Sequence, residues 1–272
     1  MTTGNEIIAR FERFCPQSLA ESWDHVGLQV GNPDQPVHKL MTTLDVRPEV
    51  VQEAIDRHVD FIFAHHPIMF HPAKDLDTRN PQNQMYADLL SHHITVYAAH
   101  TNLDAASGGM NDWLAEKLGL SDTRPLLNRG ETLGEDGSQG MGRVGMLKQA
   151  MSYDEFAQYC LKVFNLQGLR LIKPLTEHPV QRVAILGGSG GQFWPAAVHL
   201  GADAYVTGDV SYHVAHDMKA NNLLVADVGH HVEAISIKGL ADLLTRFMKE
   251  DAWDFEIVQT QINTDTYQYI VK

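Results

Sequence analysis

Short apolar runs alternate with helix-spaced segments along nearly the whole chain, and this predicts an α/β protein whose sheets are covered by helices. Two observations support the reading. The run Phe61-Ile62-Phe63-Ala64 is apolar at every position, as a buried strand requires. The residues Ile7, Ile8, Phe11 and Phe14 recur at the spacing that lines one face of a helix.

Each element follows from its own residues. Glu6 to Phe14 is predicted helical, and Leu40 to Val46 reads as a strand. Pro48 is suited to open a helix that runs to Arg57, since its missing N–H costs nothing there. After the strand Phe61 to Ala64 come a helix from Asn83 to His92 and a strand from Ile94 to Ala99. A helix from Gly109 to Leu118 is stopped by Gly119. Arg124 to Gly142 is polar and Gly-rich without periodicity, and predicts a loop or domain junction. It separates a first α/β half, residues 1–125, from a second, residues 126–272. The second half reads as strands at Arg143 to Leu147, Val183 to Leu186, Ala204 to Thr207 and Leu223 to Ala226. Helices alternate with them at Tyr153 to Phe164, Trp194 to Leu200 and Tyr212 to Ala220. A helix near Ile235 to Met248 and a strand near Phe255 to Ile262 end the pattern.

The 272 residues are 44% hydrophobic and 20% charged, which suits a globular chain with a large core. The net charge of −13 argues against general nucleic-acid or anionic-membrane binding. Two cysteines, Cys15 and Cys160, exclude a disulfide framework and a thiolate zinc cluster, and point to a reducing cytoplasm. The first residues lack the basic and apolar segments of a signal peptide, and no apolar run approaches a membrane span.

Fifteen histidines are many for this length, and their placement is uneven. His65-His66-Pro67 ends the strand Phe61 to Ala64, His100-Thr101-Asn102-Leu103-Asp104 ends Ile94 to Ala99, and Asp227-Val228-Gly229-His230-His231-Val232-Glu233 ends Leu223 to Ala226. Strand ends in open α/β sheets face the crevice where ligands bind. Imidazole plus carboxylate without thiolate suits Zn, Fe, Mn, Co or Ni. The i, i+3 spacing of His230 and Glu233 puts both on one face if a helix begins there. His92-His93, by contrast, falls at a predicted helix end, where cationic groups favour the helix dipole.

With these clusters on the page, the chain resembles the Nif-three-like dinuclear metal-centre family, often labelled GTP cyclohydrolase 1 type 2. The resemblance covers nearly the whole chain. It rests on Ser22-Trp23-Asp24-His25-Val26-Gly27-Leu28-Gln29-Val30-Gly31, Ala64-His65-His66-Pro67, His100-Thr101-Asn102-Leu103-Asp104, Gly187-Gly188-Ser189-Gly190-Gly191, Ala202-Asp203-Ala204-Tyr205-Val206-Thr207-Gly208-Asp209 and Gly229-His230-His231-Val232-Glu233, in this order. It implies two interlocked α/β halves and a metal site between them. It further implies that His65, His66, Asp104, His230 and Glu233 hold two divalent ions, in a cytoplasmic, ring-shaped homohexamer. His25 stands where the family often has Asn. Longer members carry an inserted domain mid-chain, which Arg124 to Gly142 is too short to be.

His100 is either a ligand or a group orienting Asp104 or a bound water. His213 matches a family position near the cavity and is the candidate for proton transfer. Gly187 to Gly191 has the position of a phosphate-binding turn but lacks the Lys and Ser/Thr of a P-loop, so a tight structural turn is the stronger reading. Trp23 and Asp24 are expected to shape the entry to the first half rather than to act in catalysis.

The resemblance implies a metal-dependent hydrolase that opens a purine ring, with GTP or another phosphorylated small molecule as substrate. A phosphoesterase fits the same metal pair. The alternative from another class is a metal-handling or regulatory scaffold. A guanine-reading carboxylate would favour the hydrolase; Glu135 and Asp136 in the loop are candidates, though nothing marks them out.

Overall fold

The structure is a computed structural model that describes residues 1–128 and 137–270. It is a mixed α/β fold with two sheets, as predicted, and divides into two compact units. The first unit comprises Met1–Leu103 with Ala234–Thr264, the second Asp104–Glu233 with Asp265–Lys272. This corrects the sequential split at residue 125. The strand Glu256–Gln259 pairs in parallel with Lys39–Thr43, so the C-terminal helix and strand belong to the first unit. Such distant pairing leaves no local trace in the residues.

In the first unit the strand order is Gly27–Val30, Thr95–Ala98, Phe61–Ala64, Lys39–Thr43, Glu256–Gln259. All neighbours are parallel except the antiparallel edge at Gly27–Val30. Phe61–Ala64 and Thr95–Ala98 are buried at every position, as strands covered on both faces must be. The helix Gly4–Phe14 begins in a capping box, Thr3 with Glu6, which satisfies orphan N–H groups at its start. Its Phe11 ring meets Phe63 edge-on at 4.7 Å and Tyr97 at 5.8 Å. Burial of each such ring stabilises by about 1.5–3 kcal/mol. The helices Pro48–Asp56 and Pro81–Ser91 both start on proline. The second starts earlier than the expected Asn83, because the Asn80 side chain accepts from Gln82 N–H.

In the second unit the order is Ser121–Asn128, Gly140–Met151, Val180–Ile185, Ala204–Thr207, Leu224–Asp227, Arg170–Ile172. Within the expected loop Arg124 to Gly142, residues 124–128 and 140–142 are strand, where Ser121–Asn128 pairs antiparallel with Gly140–Met151. Polar residues, Pro125 and the glycines at 140 and 142 mask the strand pattern there. Glu135 and Asp136 lie outside the described residues.

Cys160 sits at the buried face of the helix Tyr153–Phe164, and burial pushes its thiol up to about 12 from 9.0. The folded chain therefore keeps this proton between pH 9 and 12 while the unfolded chain releases it. Stability from this group is complete below pH 9 and falls as pH rises through that window. Iodoacetamide at pH 8 to 9 is expected to leave Cys160 unmodified in the folded protein and to label it in urea, read by peptide mass. Equal labelling in both states would contradict the burial.

Candidate metal centre

Three histidines gather at strand ends in the first unit. His65 and His66 follow Phe61–Ala64, and His100 follows Thr95–Ala98, the neighbouring parallel strand. Each offers a ring nitrogen within 4.8 Å of the others. Their ring centroids are 5.0, 5.3 and 5.5 Å apart.

Each ring has its Nδ1 beside an oxygen. His65 Nδ1 donates to Ala99 O at 2.7 Å, and because a carbonyl only accepts, the proton is on Nδ1. A neutral ring of this tautomer presents its Nε2 lone pair. His66 Nδ1 donates to Asp45 Oδ1 at 2.7 Å, and Thr264 Oγ1 donates to the other oxygen of Asp45 at 2.5 Å. His100 Nδ1 lies 3.0 Å from Asp24 Oδ2. That carboxylate also accepts from Thr101 N at 3.0 Å and Thr101 Oγ1 at 2.5 Å. Burial pushes the Asp24 carboxyl up, but its bonds to His100 and Thr101 outweigh this and hold it down at about 2.

The second unit carries its own carboxylates and a histidine. The chain leaves His100 through the short helix Thr101–Ala105, which carries Asp104. Asp104 is 7% exposed. Its backbone oxygen accepts from Asn111 Nδ2, and Asn111 Oδ1 accepts from Gly187 N–H. His230 and Glu233 share the short 3-10 helix His230–Ala234. His230 Nδ1 donates to Asp209 Oδ2 at 2.7 Å, while His230 Nε2 stands 3.1 Å from Glu233 Oε2. Glu233 is 3% exposed, and a carboxylate that deep is stable as an ion only beside compensating charge.

The glycine-rich stretch Gly187–Gly191 makes room for this carboxylate. Gly188 has φ +63°, and a Cβ there would stand 2.6 Å from Glu233 Oε1. The turn is tied down internally, since Gly190 N–H donates to Thr207 Oγ1 and Tyr205 OH donates to Gly190 O. It is a structural turn. Asp227 has a similar bracing role: it accepts from Val210 N–H and Gly229 N–H and is ion-paired with Arg170.

The donor set fits a divalent metal. Four imidazoles have Nδ1 directed at an oxygen, the arrangement that orients a histidine toward a metal through Nε2. On His230 both nitrogens lie beside carboxylate oxygens, Nδ1 beside Asp209 and Nε2 beside Glu233. The orienting residues Asp45 and Asp209 were not among the sequence candidates, and Asp24 was assigned only a shaping role. They lie 21, 21 and 76 residues from their histidines, a separation at which no spacing rule applies. His213 is exposed near the start of the helix Tyr212–Ala220, edge-on to Tyr212 at 5.6 Å. His25 is exposed. His92 caps the helix Pro81–Ser91, with its ring nitrogen 2.9 Å from Asp88 O. No helix among the described residues is long and apolar enough to cross a membrane.

Comparison with known proteins agrees with these features. The model of the Duf34/NIF3 (NGG1p interacting factor 3) family matches residues 2–266. A Streptococcus pneumoniae protein named GTP cyclohydrolase 1 type 2 homolog is 39% identical over 269 residues, covering 98% of this chain and 99% of its own. Its namesake from Lactococcus lactis is 40% identical over 246 residues, covering 89% and 91%. The crystal structure of a Bacillus cereus protein related to NIF3 superposes with a TM-score of 0.93 at 28% identity, over 99% of both chains.

Proposed function

The chain belongs to the Duf34/NIF3 family, and we propose on that basis that it binds two divalent metal ions and hydrolyses a purine nucleotide such as GTP. His65, His66, Asp104, His230 and Glu233 are the proposed ligands. The observation that carries the reading is the holding of each imidazole through Nδ1.

When bound, a pair of ions lowers the pKa of a coordinated water toward neutrality and polarises the group under attack. The chain's own residues do the rest. Asp45, Asp209 and the Ala99 carbonyl keep the imidazoles aimed and basic, and Asp24 fixes His100 to orient water or substrate. His213 is the proposed donor of a proton to the leaving ring nitrogen. A cytoplasmic homohexamer completes the proposal, and light scattering reads the assembly.

Purified without added metal, the protein is expected to carry about two ions per chain, and His65→Ala or Glu233→Ala to lower that content sharply. Unchanged content in both variants would overturn the site. GTP and a panel of phosphoesters are then incubated with the wild type, using these variants as blanks. Turnover that survives in the variants is contamination. Intact metal without turnover on any substrate replaces the hydrolase by a metal-handling protein.

A further inference from the structure

Two large aromatic side chains stand in solvent beside the histidine cluster. Trp23 is 62% exposed and Phe70 is 60% exposed. Their rings face each other at 6.3 Å between centroids and 30° between planes. Both meet His100 edge-on, Trp23 at 6.0 Å and Phe70 at 5.9 Å. His100 in turn lies against His65 and His66. An exposed pair of this size is costly to keep in water and calls for an occupant.

The segments that bear them are pinned. Glu21 N–H donates to Thr101 Oγ1 at 2.9 Å, and Asp24 N–H donates to Glu21 O at 2.9 Å, closing the turn around Trp23. Asp24 accepts twice from Thr101 through its carboxylate. On the other side Ile68, two residues before Phe70, is buried, and its carbonyl accepts from Tyr86 OH at 3.0 Å and Gln82 Nε2 at 3.1 Å. Rigid backbone under exposed aromatic rings is a binding arrangement, because the ordering cost is met before the ligand arrives.

We propose that Trp23 and Phe70 form a stacking platform for the planar heteroaromatic ring of a nucleoside-type substrate, delivering that ring to the His65–His66–His100 cluster. The proposal rests on the purine-nucleotide reading above and names the residues that would recognise the ring. Stacking suits this task because a flat π-face binds any base without hydrogen-bond readout. It also reconciles the acidic chain with an anionic nucleotide, since the ring supplies contact area independent of charge.

The test is equilibrium binding to the protein as purified, with guanosine and GTP as ring-bearing probes and ribose 5-phosphate as the ringless one. Binding is read by calorimetry and by quenching of tryptophan emission. Trp23→Leu is expected to raise the Kd of guanosine and of GTP about tenfold or more. Phe70→Leu acts in the same direction, Trp23→Phe restores most of the affinity, and ribose 5-phosphate does not distinguish the proteins. Metal content is measured alongside and stays at the wild-type level. If Trp23→Leu fails to fold, Phe70→Leu carries the test, its side chain being exposed. The platform is overturned if guanosine does not bind, if its Kd is equal in wild type and variants, or if the substitutions change only the oligomeric state. Guanosine binding with no turnover of GTP would sink the hydrolase and leave the platform standing. Turnover of GTP at unaltered rate and Kd in the Trp23 and Phe70 variants would do the reverse.

Discussion

Arg143→Ala is expected to lower stability by about 3–5 kcal/mol and the Tm by on the order of 10 °C. The guanidinium is 2% exposed, yet each of its donors has an acceptor. Nε and one NH2 group make a bidentate pair with Asp112, at 2.5 and 2.7 Å. The remaining bonds go to the carbonyls of Gly140, Gly142 and Ala106. One side chain thus joins the strand Gly140–Met151, the helix Met110–Lys117 and the turn after the helix Thr101–Ala105. Removing it takes a donor from three carbonyls and the ion-pair partner from Asp112, whose carboxylate keeps the Gly108 N–H, and buried groups that lose their partners account for most of the loss. Arg143→Lys is expected to recover little, since a lysine cannot present a planar fork. Pairing Arg143→Met with Asp112→Leu is expected to recover much of it, because no isolated charge is then left. Thermal melts of the four proteins check this; a single variant melting within about 2 °C of the wild type would mean that the network contributes little.

Asp45→Ala and Asp209→Ala are each expected to weaken metal binding by about 10- to 100-fold, although neither is a proposed ligand. Asp45 holds the His66 ring and Asp209 the His230 ring, each through Nδ1 at 2.7 Å. Loss of the carboxylate lets the ring rotate and lowers the basicity of Nε2. Asp209 is exposed enough, at 41% of its side chain, that its removal should leave the fold intact. Asp209→Asn keeps an acceptor but not the charge and should fall between the two. Competition titration against a chelator measures the affinities, and melts of the metal-free proteins report on folding. Affinities within twofold of wild type would show that these carboxylates do not serve the metal.

The residues reveal the parallel core strands well and the edges poorly. Phe61–Ala64 has the bounds its apolar run predicts, because a doubly covered strand must be apolar throughout. Gly27–Val30 was invisible, since an edge strand of four residues needs no such pattern. In the antiparallel pair of Ser121–Asn128 with Gly140–Met151, Arg143 to Leu147 reads as a strand, while residues 124–128 and 140–142 read as loop because polar residues and glycines mask the pairing. The candidate metal groups were legible because histidine pairs after apolar strands are chemically unusual. Their carboxylate supports and the Trp23–Phe70 pair were not, because each joins residues brought together only by folding.

The first unit is interrupted in sequence, and this sets an order of events during synthesis. Lys39–Thr43 waits for Glu256–Gln259, which is made roughly 150 residues after Leu103. At 5 to 20 residues per second the interval is on the order of 10 to 30 s. Throughout it a nearly all-buried strand, paired with Phe61–Ala64 on one side, lies at a sheet's edge with the hydrogen bonds of its other side unclaimed. The whole of Asp104–Glu233 emerges meanwhile, so the inserted unit is largely made before its host can close its sheet.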